Sequence, residues 1–284
     1  MYNYITWNPD VSVGPFRWYS LCWLVGLVIG YFIVRHLYYR QGIAVRTVRV
    51  NGKKQEENVF DPLFLYVFLG VLIGGRLGHC LFYQPDYFLS SGRHIIEMFL
   101  PIHFMQDGSW KFTGYEGLAS HGGVIGIIIA LLLYVRKTGV TMFTVLDNVC
   151  IAAPLTACCI RLGNLMNSEI IGKPTSVPWA FIFERVDSIP RHPGQLYEAM
   201  AYFLFFFVGW YFWKKHPERV GSGFFFGLCI TLVFVFRFLI ENLKDIQEDF
   251  EASMILNMGQ LLSIPFILLG IYCLVRGVRK SRKN

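Results

Sequence analysis

Charge is scarce in this sequence. Only 16% of its 284 residues are Asp, Glu, Lys or Arg, where a soluble chain carries about a quarter. With 54% hydrophobic residues and a mean hydropathy of +0.45, that shortage excludes an ordinary soluble domain and points to a polytopic membrane protein. A CxxC pair is also missing. The seven cysteines lie within or beside apolar runs, and an odd, buried set argues against a disulfide framework or a metal site. No HExxH motif, internal repeat or low-complexity tract occurs. The first 15 residues hold no Lys or Arg, and no small-residue cleavage site follows the first apolar run. That run is therefore expected to persist as a helix and not as a cleaved signal peptide.

What is present is apolar sequence in seven runs, at about 18–34, 62–82, 118–135, 145–165, 196–213, 223–240 and 256–275. Each is near the roughly 17–25 residues a helix needs to cross a bilayer. The expected fold class is all-α: a polytopic membrane protein with seven transmembrane helices forming a single integral membrane domain over 1–284, with an arm and a cap on the outer side. The arm is the mixed, aromatic segment 84–116, suited to lying on the membrane interface. The cap is the proline-bearing segment 172–193, with a short strand expected near 179–183. Residues 47–54, with Asn51-Gly52 at the centre, read as a small hairpin. Small residues recur at four-residue spacing in Gly26/Gly30, Gly70/Gly74/Gly78, Gly122/Gly126 and Gly223/Gly227. Such spacing lets helices approach closely where lipid offers no hydrophobic drive.

The net charge of +7 follows the topology and does not call for nucleic acid. With the N-terminus outside, sixteen Lys and Arg residues fall on inside segments and seven on outside ones. That bias sets an N-out, C-in orientation. The remaining three, Arg76, Arg161 and Arg237, lie within the apolar runs.

An arginine at membrane depth costs about 2.5–3.5 kcal/mol even on the lenient insertion scale. Such a residue faces a wet cavity, a partner or an anion. The bland alternative is snorkelling or a buried carboxylate, and Arg237 with Glu241 at i, i+4 is an available pair. Three guanidiniums around one cavity suit a phosphate, whose oxygens match the planar fork. In a bilayer the obvious phosphate is a phospholipid headgroup.

The densest polar stretch is CCIRLGNLMNSEIIG at 158–172. On a helix Arg161, Asn164 and Asn167 fall near one face, three residues apart; Glu169 and Gly172 follow. His121 opens HGGVIG, where Gly122 and Gly123 permit close approach of a backbone or ligand, and a neutral imidazole can accept a proton near pH 7. His192, Gln195 and Glu198 recur every third residue at the start of the fifth run; a hydrogen-bonded helix entrance and a direct role weigh equally there. Trp18-Tyr19 reads either as an interfacial pair or as a hydroxyl placed in the cavity.

Taken in order, Trp18-Tyr19, GGRLG (74–78), HGGVIG (121–126), RLGNLMNSE (161–169), RHPGQLYE (191–198), FRFLIE (236–241) and MGQLLSIP (258–265) resemble the prolipoprotein diacylglyceryl transferase family. The likeness runs from the first apolar run to the last. It departs from the family's usual residues at Ser20, Ser168, Gly194, Val233 and Lys244. The resemblance implies a multi-pass enzyme of the bacterial inner membrane, with periplasmic N-terminus and cytoplasmic C-terminus. It implies transfer of the diacylglyceryl group of phosphatidylglycerol to the lipobox cysteine of a prolipoprotein signal peptide. A thioether forms, glycerol phosphate leaves, and no metal or soluble cofactor takes part. Carried over by motif, His121, Arg161, Asn164, Glu169, Gly172 and Arg237 form the functional core, with Tyr19, Arg76 and Glu241 in support.

On this reading His121 is the base or helps position it, and Arg161 and Arg237 clamp the phosphate. Tyr19, Arg76, Gly122, Gly123, Asn164, Asn167, Glu169, Gly172, His192 and Glu241 are the substrate-binding candidates. A transporter for an anionic solute also suits buried arginines, but the polar groups gather towards one side and no repeat is seen. An intramembrane protease would need a catalytic pair that Ser120-His121, adjacent on a helix, does not make.

Overall fold

A computed structural model gives the fold over residues 4–50, 53–105, 107–112, 117–245 and 256–281. Among these, nine α-helices occur: α1 (Trp18–Arg40), α2 (Phe60–Phe82), α3 (Pro85–Phe88), α4 (Gly92–Phe99), α5 (Ser120–Thr138), α6 (Met142–Asn167), α7 (Gly194–Lys215), α8 (Phe224–Ile240) and α9 (Met258–Ser281). All but the short α3 and α4 are long and apolar enough to cross a membrane, which makes the seven expected spans. Several run further than the apolar pattern suggested. α1 continues to Arg40, and α6 begins at Met142 and reaches Asn167. Hydropathy marks where lipid ends, whereas the backbone ladder continues into polar sequence until something stops it. Pro154 sits buried inside α6, tolerated as prolines are in membrane helices.

The chain forms two compact units, Tyr38–Met142 and Met1–Leu37 with Phe143–Asn284. In the first, α2 and α5 pack backbone to backbone. A Cβ on Gly78 would lie 2.7 Å from Cα of Gly122, and one on Gly74 would lie 2.8 Å from Cα of Gly126. The four-residue glycine spacing thus does what it promised. The fully buried Tyr134 donates to the Val59 carbonyl at 3.0 Å, tying α5 to the start of α2. Strands Val45–Val50 and Lys53–Asn58 pair antiparallel, the expected hairpin; its Asn51-Gly52 turn lies outside the described residues. The arm contains α3, α4 and an antiparallel pair, Ile102–Phe104 with Trp110–Phe112.

In the second unit, α8 and α9 meet at Gly227 and Gly270, where a Cβ on Gly227 would lie 2.7 Å from the Gly270 carbonyl. Leu37, Ile151, Trp213, Phe224 and Phe225 make a core cluster. The cap contains strand Phe181–Phe183, parallel to Ile5–Trp7 and antiparallel to Pro190–Arg191. This is shorter than the expected 179–183 because the chain turns at 178–179.

The start of α8 rests on a buried carboxylate. Asp147, from α6, accepts the backbone N–H groups of Gly221 and Gly223 at 2.9 Å and of Phe226 at 2.8 Å. An anion there satisfies donors that a helix N-terminus leaves open and faces the positive end of its dipole. Asp147→Ala strands three donors among apolar side chains and is expected to cost about 3 kcal/mol. Thermal unfolding in detergent should show a clear loss for Ala and a smaller one for Asn. Equal melting of all three proteins would remove this role.

Candidate active site

The site of the second unit begins where α6 stops. Ser168 and Ile170 adopt φ of 57° and 56°, so the chain leaves the helix by two left-handed residues around Glu169. A β-branched residue in that region is strained, and neighbours hold it. Trp7 Nε1 donates to the Leu165 carbonyl at 2.8 Å, Arg185 to that of Met166 at 3.0 Å, and the Gln195 amide to that of Glu169. The turn swings the Glu169 carboxylate back along α6. It accepts from Asn164 Nδ2 at 3.1 Å and from Asn167 Nδ2 at 3.0 Å. Asn164 Oδ1 in turn accepts from Arg161 at 3.3 Å. The three-residue spacing therefore yields one hydrogen-bonded row, from a half-buried guanidinium to an exposed carboxylate.

Behind Arg161 lies a buried ionic network. Its Nε sits 3.1 Å from Glu198 Oε2, and Glu198 is 0% exposed. Lys244 Nζ donates to Glu198 Oε1 at 3.1 Å and stands 3.3 Å from Glu241 Oε2. The Tyr202 hydroxyl donates to Glu198 Oε1 at 3.3 Å, interacts with Arg161 and lies in the field of Arg237. Arg237 makes no hydrogen bond or ion pair with another described residue. The i, i+4 pair with Glu241 that the sequence made available does not form. After Ile240 the chain tightens into a 3-10 turn, Glu241–Leu243, and the Glu241 carboxylate goes to Lys244 instead, packed against Gly259. One arginine is thus fixed by a carboxylate, and a second beside the same tyrosine has no counter-ion among the described residues.

The remaining candidates of this unit frame the row. Tyr19 packs on Gly163, where a Cβ would lie 3.1 Å from its ring. His192 Nδ1 lies 3.1 Å from the Tyr197 hydroxyl, and burial lowers the imidazole's pKa. Gly172 is a crossing point. Its N–H donates to the His192 carbonyl at 2.9 Å, and a Cβ there would lie 2.8 Å from the Leu243 carbonyl. Its missing side chain is a packing requirement, so its service to the site is to bring three segments together.

In the unit 38–142, His121 is exposed on the first turn of α5 and makes no hydrogen bond with another described residue. Gly122 is consumed in the contact with α2, whereas a Cβ on Gly123 would meet only the Val71 carbonyl, at 3.9 Å. Arg76 is buried and holds the arm. It donates to the carbonyls of Glu97 at 2.8 Å and Met98 at 3.3 Å and lies 4.9 Å from the Phe88 ring centre. Arg76 also borders a polar cavity of about 780 Å³ with His79, Asp86, Tyr87, Glu97 and His103.

Glu97 accepts from the Tyr87 hydroxyl at 2.8 Å and the Phe104 N–H at 2.6 Å, with His103 Nδ1 at 3.4 Å. Burial opposes its ionisation. The Phe104 amide, the Tyr87 hydroxyl and the two histidines outweigh burial and hold the carboxyl below its usual range. Tyr87 is pushed up to about 12 by burial and by the hydrogen bond to Glu97 and its charge. A depressed carboxyl lends stability above its unfolded pKa and loses it as pH falls through the folded one. The arm is therefore expected to loosen only as the pH drops below about 4.5, the ordinary glutamate value. Limited proteolysis against pH should show that onset in the parent and not in Glu97→Gln.

Tyr202 carries no motif signal, and Lys244 reads from sequence only as a loop charge and a departure from the family's usual residue. The sequence left Glu198 undecided between helix entrance and site. A signal existed: a glutamate inside an apolar run demands a nearby cation, and Lys244 follows Glu241 by three residues.

Seven apolar helices with a guanidinium–carboxylate cluster buried among them define a multi-pass membrane protein. The family model described as prolipoprotein diacylglyceryl transferase matches residues 10–276, and the chain belongs to that family. Relatives carrying the name phosphatidylglycerol–prolipoprotein diacylglyceryl transferase include one from Bacteroides fragilis, 53% identical over 285 residues, covering 98% of each chain. Another, from Tolumonas auensis, is 38% identical over 283 residues, covering 98% of this chain and 99% of the relative. One from Vibrio cholerae is 36% identical over 282 residues, covering 95% and 93%.

Proposed function

We propose that the chain transfers the diacylglyceryl group of phosphatidylglycerol to the lipobox cysteine of a prolipoprotein signal peptide. It does so as one membrane domain in the bacterial inner membrane, N-terminus periplasmic and C-terminus cytoplasmic. The observation that carries this reading is the pair of arginines around Tyr202, one anchored by Glu198 and the other without a counter-ion among the described residues. A phosphodiester headgroup supplies the missing anion. The orientation rests on the bias of Lys and Arg between the loops.

The thiol loses its proton, and the thiolate attacks the glyceryl CH2 carbon. A C–S bond forms as the C–O bond to phosphate breaks, and glycerol phosphate carries off the electron pair. A thiol with pKa near 8.5 needs a base or cation for a useful thiolate fraction. His121, exposed and unpaired among the described residues, is the base this reading assigns. Arg237 and the free edge of Arg161 bind the phosphate oxygens and stabilise the charge that grows there. Asn164, Asn167 and Glu169 offer donors and acceptors to the headgroup glycerol, beside Tyr19. His192, Gly172 and Glu241 shape the wall, and Arg76 with Gly122 and Gly123 shapes the arm unit. Lipid tails remain in the bilayer while the headgroup enters between helices, and the signal helix docks laterally.

The test is mass spectrometry of a lipobox peptide incubated with purified protein and phosphatidylglycerol. A diacylglyceryl mass on the cysteine, with glycerol phosphate released, is expected. An unmodified peptide with folded protein would overturn the reading. His121→Ala is expected to lower transfer at least about 100-fold, in line with the contribution of a general base. Normal turnover by that variant would dismiss His121 as the base.

A further inference from the structure

In the second unit, Arg161 of the substrate row opens a linked set of four charges. Arg161, Glu198, Lys244 and Glu241 give two cations and two carboxylates, linked in series by contacts of 3.1, 3.1 and 3.3 Å. Lys244 has only 3% of its side chain exposed and Glu198 none, so neither reaches solvent or a headgroup directly. Lys244 is held in place by backbone as well. It bridges Gly172, and the neighbouring Lys173 N–H donates to the Leu243 carbonyl at 2.8 Å.

The geometry points to Lys244 as a positioning residue for Arg161, acting through Glu198; this rests on the transfer reaction proposed above. A lone carboxylate beside an arginine takes it in the bidentate mode, both oxygens against two N–H groups. Here Oε1 of Glu198 is already taken by Lys244 and Tyr202. Arg161 is left with Oε2, and reaches it with Nε. Its Nη1 then donates to Asn164, and the guanidinium also interacts with Tyr202, which lies in the field of Arg237. Lys244 also cancels the second charge, since Glu241 would otherwise leave the buried set one negative charge in excess. Without Lys244, Glu198 would draw the Arg161 fork onto itself and away from phosphate. The ammonium thus sets which edge of the guanidinium is offered to substrate, without touching substrate.

The experiment is steady-state transfer to a lipobox peptide by the full-length protein in phosphatidylglycerol micelles. Lys244→Met is expected to lower kcat at least about 10-fold with KM for phosphatidylglycerol within about 3-fold, the split expected when a transition-state contact is misaligned. Lys244→Arg, which keeps a cation between the two carboxylates and can donate to Glu198, should recover most of kcat. Lys244→Met leaves a buried carboxylate short of a partner and can fail to fold. The double variant Glu198→Gln/Lys244→Met restores the charge balance and covers that case. It should fold, show the kcat defect, and be no worse than Glu198→Gln alone, because the two residues act as a unit. Near-normal kcat in folded Lys244→Met, an equal loss in Lys244→Arg, or an intact double variant would overturn the inference. Absence of transfer by the parent protein would instead strike the proposed reaction, which keeps the two failures apart.

Discussion

Arg161→Lys is expected to reduce diacylglyceryl transfer at least about 100-fold while leaving the protein folded. The loss of one preorganised donor to a developing oxyanion costs about 2.7–4 kcal/mol in transition-state energy. Arg161 does more than donate once. Its Nε is committed to Glu198 and another nitrogen to Asn164, and it also engages Tyr202. A lysine brings one nitrogen to these partners, and if it stays with Glu198 nothing remains for phosphate. Folding should survive, because Lys244 and the new ammonium still balance the two carboxylates. Arg237→Lys keeps a positive charge beside Tyr202 and should lose less, about 10-fold, through the missing fork alone. Transfer rates of the two variants, measured with matched amounts of folded protein, decide it. An Arg161→Lys enzyme within about 3-fold of the parent would show that the fixed geometry of the guanidinium is irrelevant.

Gly74→Leu is expected to give the largest structural loss. A Cβ there already meets Cα of Gly126 at 2.8 Å and its N–H at 3.0 Å, and both are backbone. No side chain can move aside, so α2 and α5 must separate or the unit must refold around a gap. Overpacking of ordinary cores costs about 1–3 kcal/mol, and a backbone contact belongs at or above the upper end. For a chain of this size that is about a 6–12 °C fall in melting temperature, read by thermal unfolding in detergent. Gly209 on α7 is the control, since a Cβ there meets nothing within 4 Å. Gly209→Ala should be neutral or slightly stabilising through helix propensity. Equal melting of the Gly74 and Gly209 variants would mean that the α2–α5 contact is not what holds the unit.

Much of the molecule could be read from residue order because membrane sequence obeys local rules. Seven apolar runs became seven long helices, since lipid leaves a spanning backbone almost no alternative. The glycine spacing in α2 and α5 announced their contact, because four residues return to the same helix face. The row Arg161, Asn164 and Asn167 followed from helical periodicity, and Glu169 joined it through a turn two residues on.

What residue order could not decide was which charge meets which. Arg237 and Glu241 are the nearest opposite pair on one helix, yet the 3-10 turn gives Glu241 to Lys244. Glu198 meets Arg161 from 37 positions away and Lys244 from 46. Arg76, grouped by type with the other two arginines, holds the arm through the carbonyls of Glu97 and Met98. Gly172 sat within a site motif, but its space is filled by His192 and Leu243. Helix formation, helix length and helix faces are settled by residues a few positions apart, so the sequence by itself determined them. Buried ion pairs are settled by the low dielectric between packed helices, where each charge takes whichever partner the packing brings within reach, so only the tertiary structure decided them.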